Sequence, residues 1–174
     1  MSFITKEKSV ALYAALVSFG TYVFIFGFRK SFTVCTFEGM TFGPIAFKTA
    51  MVISQMLGYL MAKFYGIKFI SGLEKKNRYK IIFLLTGIAW AAWLLFAIVP
   101  APYSILFLFI NGFPLGMLWG VVFSYVEGRR STDFIGAALA VSFIFSAGWV
   151  KSVGAWLMQD FHIAETWVPF CTGL

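Results

Sequence analysis

Five long apolar stretches, separated by short polar segments, dominate this sequence. The first, Val10–Phe28, runs for nineteen residues without a charge, and a helix that crosses a bilayer needs about 20 mostly apolar residues. Only 12% of the residues are charged and 60% are hydrophobic, whereas a soluble domain carries about 25% charged residues. Too few charges remain to cover a water-exposed surface. The sequence therefore predicts an all-α fold, a polytopic membrane helix bundle.

The boundaries of the apolar stretches predict five full transmembrane helices and the start of a sixth. Pro100-Ala101-Pro102 separates the third stretch from the fourth and predicts a tight turn, because proline cannot continue the hydrogen bonding of a helix. The chain 1–174 is then one transmembrane half-bundle, a fragment of a longer protein. The expected spans are 9–35, 45–65, 81–99, 103–126, 135–158 and 167–174.

The basic residues between the spans predict the orientation. Lysine and arginine concentrate in cytoplasmic loops of membrane proteins. Nine of them fall on one side of the expected topology, against at most two, Arg29 and Lys30, on the other. We therefore expect a multi-pass protein of the bacterial inner membrane with a cytoplasmic N-terminus. The basic residues that set the orientation also explain the net charge of +7, so we expect no nucleic-acid partner. The nine residues are Lys6, Lys8, Lys68, Lys75, Lys76, Arg78, Lys80, Arg129 and Arg130.

Five other cations lie in or beside the spans, which contain no aspartate or glutamate: Arg29, Lys30, Lys48, Lys63 and Lys151. A charge in hydrocarbon is costly and points to function. Cations without internal counter-ions favour a small anionic solute, phosphorylated or carboxylated. Alternatives remain for each of them. The Lys48 and Lys63 ammonium groups can reach the headgroups or form ion pairs, and Lys151 can lie near the outer face. The Arg29-Lys30 pair either caps the first helix at that face or lies within a longer helix.

Three uncharged polar residues complete the candidate binding site. On the second helix, Gln55 and Tyr59 share a face with Lys48, and Lys63 lies slightly further round. This polar stripe faces either a cavity or neighbouring helices, where it would form hydrogen bonds. Asn111 on the fourth helix offers the same two alternatives, contact with substrate or a hydrogen bond across helices.

Glycines spaced by four on the fourth helix, Gly112, Gly116 and Gly120, predict a face for close helix contact. The sequence shows no nucleophile–base set, no glycine-rich phosphate loop and no cluster of metal ligands. We therefore expect a protein that is not an enzyme and has no cofactor and no metal site.

Two short segments resemble a known family. Tyr22–Phe32, with its Arg-Lys pair, resembles the first helix of the organophosphate:phosphate antiporters of the major facilitator superfamily. Gly58–Phe64 is similar to the end of that family's second helix. The resemblance implies that Arg29, with Lys30 beside it, contacts a substrate phosphate, and that Lys63 is the lysine of the second helix. The antiporters' histidine on the fifth helix is absent here, which leaves the solute and the coupling ion open, and the alternative is an uncharacterised bacterial branch near the antiporters.

These observations lead to one main expectation and one alternative. The main expectation is the N-terminal part of a secondary active transporter of the major facilitator type, which moves its anion by alternating access. Its partners would be the anionic solute, the lipid bilayer and a C-terminal half of the same protein. The alternative is a transport-inactive membrane sensor or scaffold built on the same bundle.

Overall fold

A computed structural model describes residues 2–72, 74–125 and 132–173. The two predicted loop cations Arg129 and Arg130 lie outside this part of the chain. The described residues are mostly helical, and a short antiparallel hairpin pairs β1 (Thr41–Phe42) with β2 (Ile45–Ala46). The predicted all-α bundle is confirmed. The helices are α1 (Ser2–Lys30), α2 (Phe47–Ser71), α3 (Arg78–Ile98), α4 (Ile105–Phe123), α5 (Thr132–Asp160) and α6 (Val168–Cys171), and 3-10 turns cover Ser31–Val34 and Lys75–Asn77.

Among the described residues, four helices are long and apolar enough to cross a membrane. They give the spans Ser9–Val34, Arg78–Ile98, Ile105–Phe123 and Thr132–Asp160. The chain is therefore a polytopic integral membrane protein. Four of the five expected full spans coincide with these helices. Helix α2 is also long enough, with 25 residues, but it contains three lysines and Gln55 and is not among these four.

Several boundaries differ from those expected. Helix α2 continues six residues beyond the expected end at Tyr65 and reaches Ser71, and α5 is longer at both ends. The backbone hydrogen bonding of a helix extends into polar flanks, where hydropathy no longer marks it. The hairpin of residues 41–46 was not predicted. It defines the hairpin end of the bundle, and residues 68–80 define the opposite, basic end.

Contacts along the helices show their relative directions. A Cβ added to Gly112 of α4 would meet the Gln55 backbone of α2, and one on Gly120 would meet Ile70. Because the residue numbers of the contacting pairs increase together along α2 and α4, these two helices are parallel. Ser146 donates to the carbonyl of Val23 at 2.7 Å, and further along α1 and α5 Gly27 lies beside Val150, so these two helices are also parallel to each other.

The glycines of α4 allow it to approach α2 closely, as predicted. A Cβ on Gly116 would lie 2.6 Å from the Ala62 Cβ and 2.8 Å from the carbonyl oxygen of Tyr59. On α2, Gly58 faces the Phe109 backbone just as closely. Backbone therefore packs on backbone across this interface, as small residues permit in membrane bundles. This packing fixes the depth and rotation of the polar face of α2 against α4.

Candidate functional site

Arg29, in the last turn of α1, lies within the bundle. Its backbone carbonyl accepts a hydrogen bond from Gln55 Nε2 at 3.2 Å, and the carbonyl of Phe28 accepts one from Trp93 Nε1 at 2.8 Å. Gln55 and Trp93 belong to the interiors of α2 and α3. The α-helix ends at Lys30, and a 3-10 turn continues the span to Val34. The Arg29-Lys30 pair therefore lies at the end of the α-helix and a few residues before the end of the candidate span.

One aromatic ring contacts two cations. The Cζ atom of Arg29 lies 4.2 Å from the centre of the Tyr59 ring, and the Nζ atom of Lys63 lies 4.9 Å from the same centre. Lys63 also lies 4.7 Å from the Trp119 ring centre, and Arg29 lies 5.8 Å from that of Phe26. We call Arg29, Lys63, Tyr59 and Trp119 the cation–aromatic cluster. All four side chains are half-buried.

The charge around this cluster is positive. No aspartate or glutamate occurs between Glu7 and Glu38 or between Glu38 and Glu74, so α1 beyond its first turns and all of α2 are free of acids. Lys30, which follows Arg29, lies within the electrostatic reach of Arg29 and of Lys151 on α5. Lys151 is exposed. The structure thus brings Arg29 and Lys63 to one ring, and Lys30 follows Arg29 in the chain.

Gln55 and Asn111 support the site through hydrogen bonds across helices. Gln55 Nε2 donates to Asn111 Oδ1 at 2.9 Å as well as to the carbonyl of Arg29, and Asn111 Nδ2 donates to the carbonyl of Ala89 at 2.9 Å. Both side chains are buried. This amide bridge connects α1, α2, α4 and α3 and holds the backbone of Arg29 in place.

Lys48 is bound elsewhere, at the hairpin end. Its Nζ atom donates to the carbonyls of Thr33 and Cys35 at 3.0 and 2.6 Å. Basic side chains commonly bind the last carbonyls of a helix, which have no partner within the helix. Lys48 therefore closes the end of the 3-10 turn after α1. Its ammonium group is engaged away from the cation–aromatic cluster.

The segment after this turn, residues 35–37, is held from the other side by the loop between α5 and α6. The two carboxylate oxygens of Glu165 accept hydrogen bonds from the backbone N–H groups of Thr36 and Phe37, at 3.0 and 2.7 Å. Burial opposes ionisation of Glu165, but these hydrogen bonds outweigh it and lower the pKa of the carboxyl. Burial raises the pKa of the Cys35 thiol to about 12.

The candidate set from the sequence missed the aromatic partners. Trp119 of α4 and Phe26 of α1 contact the predicted cations, and the buried Tyr22 lies beside Tyr59. Aromatic residues make up 20% of the chain, and most of them face lipid or fill the core. Composition therefore gave no signal for these three. The spacing of Trp119 three residues after Gly116, on the face that meets α2, could have indicated it.

Fold and site together define a class: a polytopic α-helical membrane protein with a half-buried cation–aromatic cluster inside its bundle. The chain belongs to the Family of unknown function (DUF5690), which matches residues 31–174. The matched range includes Tyr59, Lys63 and Trp119, and it begins two residues after Arg29. No curated protein and no solved structure matches this chain.

Proposed function

We propose that this chain is the N-terminal part of a secondary active transporter of the major facilitator type, which moves a small anionic, phosphorylated or carboxylated solute. One observation carries the proposal: Arg29 and Lys63 lie over the same Tyr59 ring, on helices without acids beyond Glu7. Both cations contact aromatic rings. A ring binds a cation less strongly than a phosphate or carboxylate group binds it, so an anion would be the stronger partner for either cation.

The chemistry of the two cations suits an anionic oxygen group. The planar guanidinium of Arg29 can donate two parallel hydrogen bonds to a phosphate or carboxylate. The Lys63 ammonium also contacts the Tyr59 ring and would add a second positive charge near the same anion. Lys30 and Lys151 add a positive potential that attracts anions to the site.

A transporter of this type places its substrate between two halves that rock around a midplane site. The half-buried cluster would then face a second half, supplied by the same protein. The basic end, with Lys68, Lys76, Arg78 and Lys80, would face the cytoplasm under the positive-inside rule. That orientation places the N-terminus in the cytoplasm, and we propose the bacterial inner membrane as its location.

The test is exchange of labelled anions by the protein encoded by the complete natural gene, reconstituted in liposomes. Phosphate esters, carboxylates and organic cations are offered in turn. We expect exchange of an anion, and its loss in Arg29→Lys, because a lysine cannot form the paired hydrogen bonds. Arg78→Lys is the matched control, since Arg78 also contacts a ring, that of Tyr125, and donates to the carbonyl of Ser124. We expect exchange to persist in this control.

The outcomes separate the proposal from its competitors. Exchange at the wild-type rate by Arg29→Lys would remove Arg29 from the solute site. Exchange of cations but not of anions would reverse the proposed charge of the solute. Saturable anion binding without exchange would favour the sensor or scaffold.

A further inference from the structure

A groove runs between α1 and α3 in the half of the bundle nearer the basic end. One wall is a face of α1, whose lining residues between Val10 and Thr21 have the three- and four-residue spacing of one helical face. Ile82 of α3 forms the other wall, and Val122 and Tyr125 complete the lining at the end of α4. The volume is about 360 Å³, which is within the range of about 300–1,000 Å³ for small-molecule sites in proteins.

The groove is about as long as one leaflet of a membrane is deep. Val10 and Thr21 are separated by about 16 Å of helix, and half of the hydrocarbon core of a bilayer is about 15 Å thick. The α1 wall is open to the surroundings, since Tyr13 is 71% exposed and Val17 is 49% exposed. An exposed apolar groove of this length suits one acyl chain of a lipid in the leaflet on that side.

A cation lies at the basic end of this groove. Arg78 precedes Ile82 by one turn on α3, and its Cζ atom lies 5.7 Å from the centre of the Tyr125 ring. Arg78 is also the first residue of the candidate span of α3, which places it at the level of the lipid headgroups. Tyrosine is common at this level of a membrane, and Tyr125 is 41% exposed.

The guanidinium of Arg78 has more donors than the structure uses. Its Nη1 donates to the carbonyl of Ser124 at 2.6 Å, and an arginine has five N–H donors in all. Within the described part of the chain, its buried Nε has no hydrogen-bond partner. Arg78 therefore retains donors for an anion, and the planar guanidinium group is suited to bind a phosphate through two parallel hydrogen bonds.

We propose that this groove binds an anionic phospholipid, with one acyl chain along α1 and the phosphate of the headgroup at Arg78. The charge of the basic end favours an anionic lipid over a neutral one, because residues 68–80 contain five lysines and arginines and one acid, Glu74. Basic pockets between membrane helices are known to bind anionic headgroups. This inference does not depend on transport, since no residue of the groove belongs to the cation–aromatic cluster.

The experiment identifies the lipid that touches the groove. The protein encoded by the complete natural gene is reconstituted in vesicles of equal parts phosphatidylglycerol and phosphatidylcholine with the same acyl chains. The photoreactive amino acid benzoylphenylalanine replaces Tyr13, and mass spectrometry identifies the adducts after irradiation. Leu12 is the matched control position, because it is one residue away at the same depth, is 53% exposed and does not line the groove. We expect adducts of phosphatidylglycerol to exceed those of phosphatidylcholine about fivefold at Tyr13, and the two lipids to react equally at Leu12.

Variants at the start of α3 locate the headgroup. Arg78→Gln should abolish the enrichment at Tyr13. Lys80→Gln should leave it, because Lys80 carries the same charge but lies about 200° round the helix from Arg78 and Ile82. Arg78→Lys keeps the charge and should keep most of the enrichment, which separates loss of the headgroup contact from loss of the fold. Anion exchange should also persist in Arg78→Lys.

Two results would overturn the proposal. One is the same lipid ratio at Tyr13 and Leu12, or an enrichment at Tyr13 that Arg78→Gln leaves unchanged. The other is a peptide adduct at Tyr13, which would show that protein rather than lipid covers the groove. Neither result bears on the proposed transport, which the exchange assay tests separately.

Discussion

The amide bridge between Gln55 and Asn111 offers a direct test of what holds the candidate site in place. Gln55→Leu removes two hydrogen bonds, to the carbonyl of Arg29 and to Asn111. Asn111→Leu also removes two, to Gln55 and to the carbonyl of Ala89. A hydrogen bond between membrane helices contributes about 0.6 kcal/mol on average and up to about 1.7. Each single change should therefore lower the free energy of unfolding by about 1–3 kcal/mol.

The double variant Gln55→Leu/Asn111→Leu should be less destabilised than the sum of the two single variants. Each single variant loses the hydrogen bond between the two side chains, so the sum of the two single effects counts this bond twice, whereas the double variant loses it once. In addition, each single change leaves a buried amide without its partner, whereas the double change removes both amides. We expect a coupling free energy of at least about 0.6 kcal/mol.

Unfolding in mixed micelles, followed by tryptophan fluorescence, measures these differences. Ser146→Ala is the control, because the Ser146 hydroxyl donates to the carbonyl of Val23 in the separate α1–α5 interface. Its effect on the free energy of unfolding should be additive with that of Asn111→Leu. Additive effects of Gln55→Leu and Asn111→Leu would refute a shared bond in the folded protein. Anion binding by the double variant adds a second result, since the bridge holds the backbone of Arg29 in place and its loss should weaken binding of the proposed anion.

Three further predictions concern the packing and the hairpin end. Gly112→Ala should destabilise the protein by about 1–3 kcal/mol, because the new methyl group meets the backbone of α2. Gly87→Ala, with nothing within 4 Å, should be neutral or stabilising, and equal thermal shifts in detergent would contradict the close α2–α4 contact. Since the folded state lowers the pKa of Glu165, its contribution to stability is complete above the ordinary carboxyl pKa of about 4.3 and is lost as pH falls through the folded pKa. Unfolding midpoints between neutral and acid pH should show this loss in the wild type and a smaller one in Glu165→Gln. The buried Cys35 thiol, with its pKa raised to about 12, should resist maleimide at neutral pH in the folded protein and react after denaturation, and rapid labelling of the folded form would show that it is accessible.

The sequence predicted the helical bundle well, because runs of apolar residues determine which segments can enter a membrane. It predicted the ends of the helices less well. The expected second span ends at Tyr65, but α2 continues to Ser71, and α5 extends beyond the expected span 135–158 at both ends. The backbone hydrogen bonds of a helix continue past the apolar residues, so hydropathy does not mark where the helix stops.

For the candidate site, the sequence could indicate cations but not their partners. Lys48 and Lys63 both lie on the polar face of α2, yet one binds carbonyls at the hairpin end and the other lies over two rings. The contact that each lysine makes depends on how far α2 is shifted along its axis relative to α1 and α4. That shift is determined by the hairpin connection and by the glycine contacts with α4. Gln55 and Asn111, 56 residues apart in the chain, meet for the same reason.

The arrangement of Arg29 and Lys63 gives the proposed anionic solute an electrostatic basis. Since both lie over the Tyr59 ring, 4.2 and 4.9 Å from its centre, they are no further apart than these two distances combined. At an effective dielectric constant near 20, two like charges at that separation repel by about 2 kcal/mol or more. Contacts with the Tyr59 and Trp119 rings offset this repulsion by about 0.5–2 kcal/mol each. An anion between the cations would replace repulsion with two attractions, whereas a cation would add a third like charge. The two cations and their common ring therefore support the proposed anionic solute without recourse to any family resemblance.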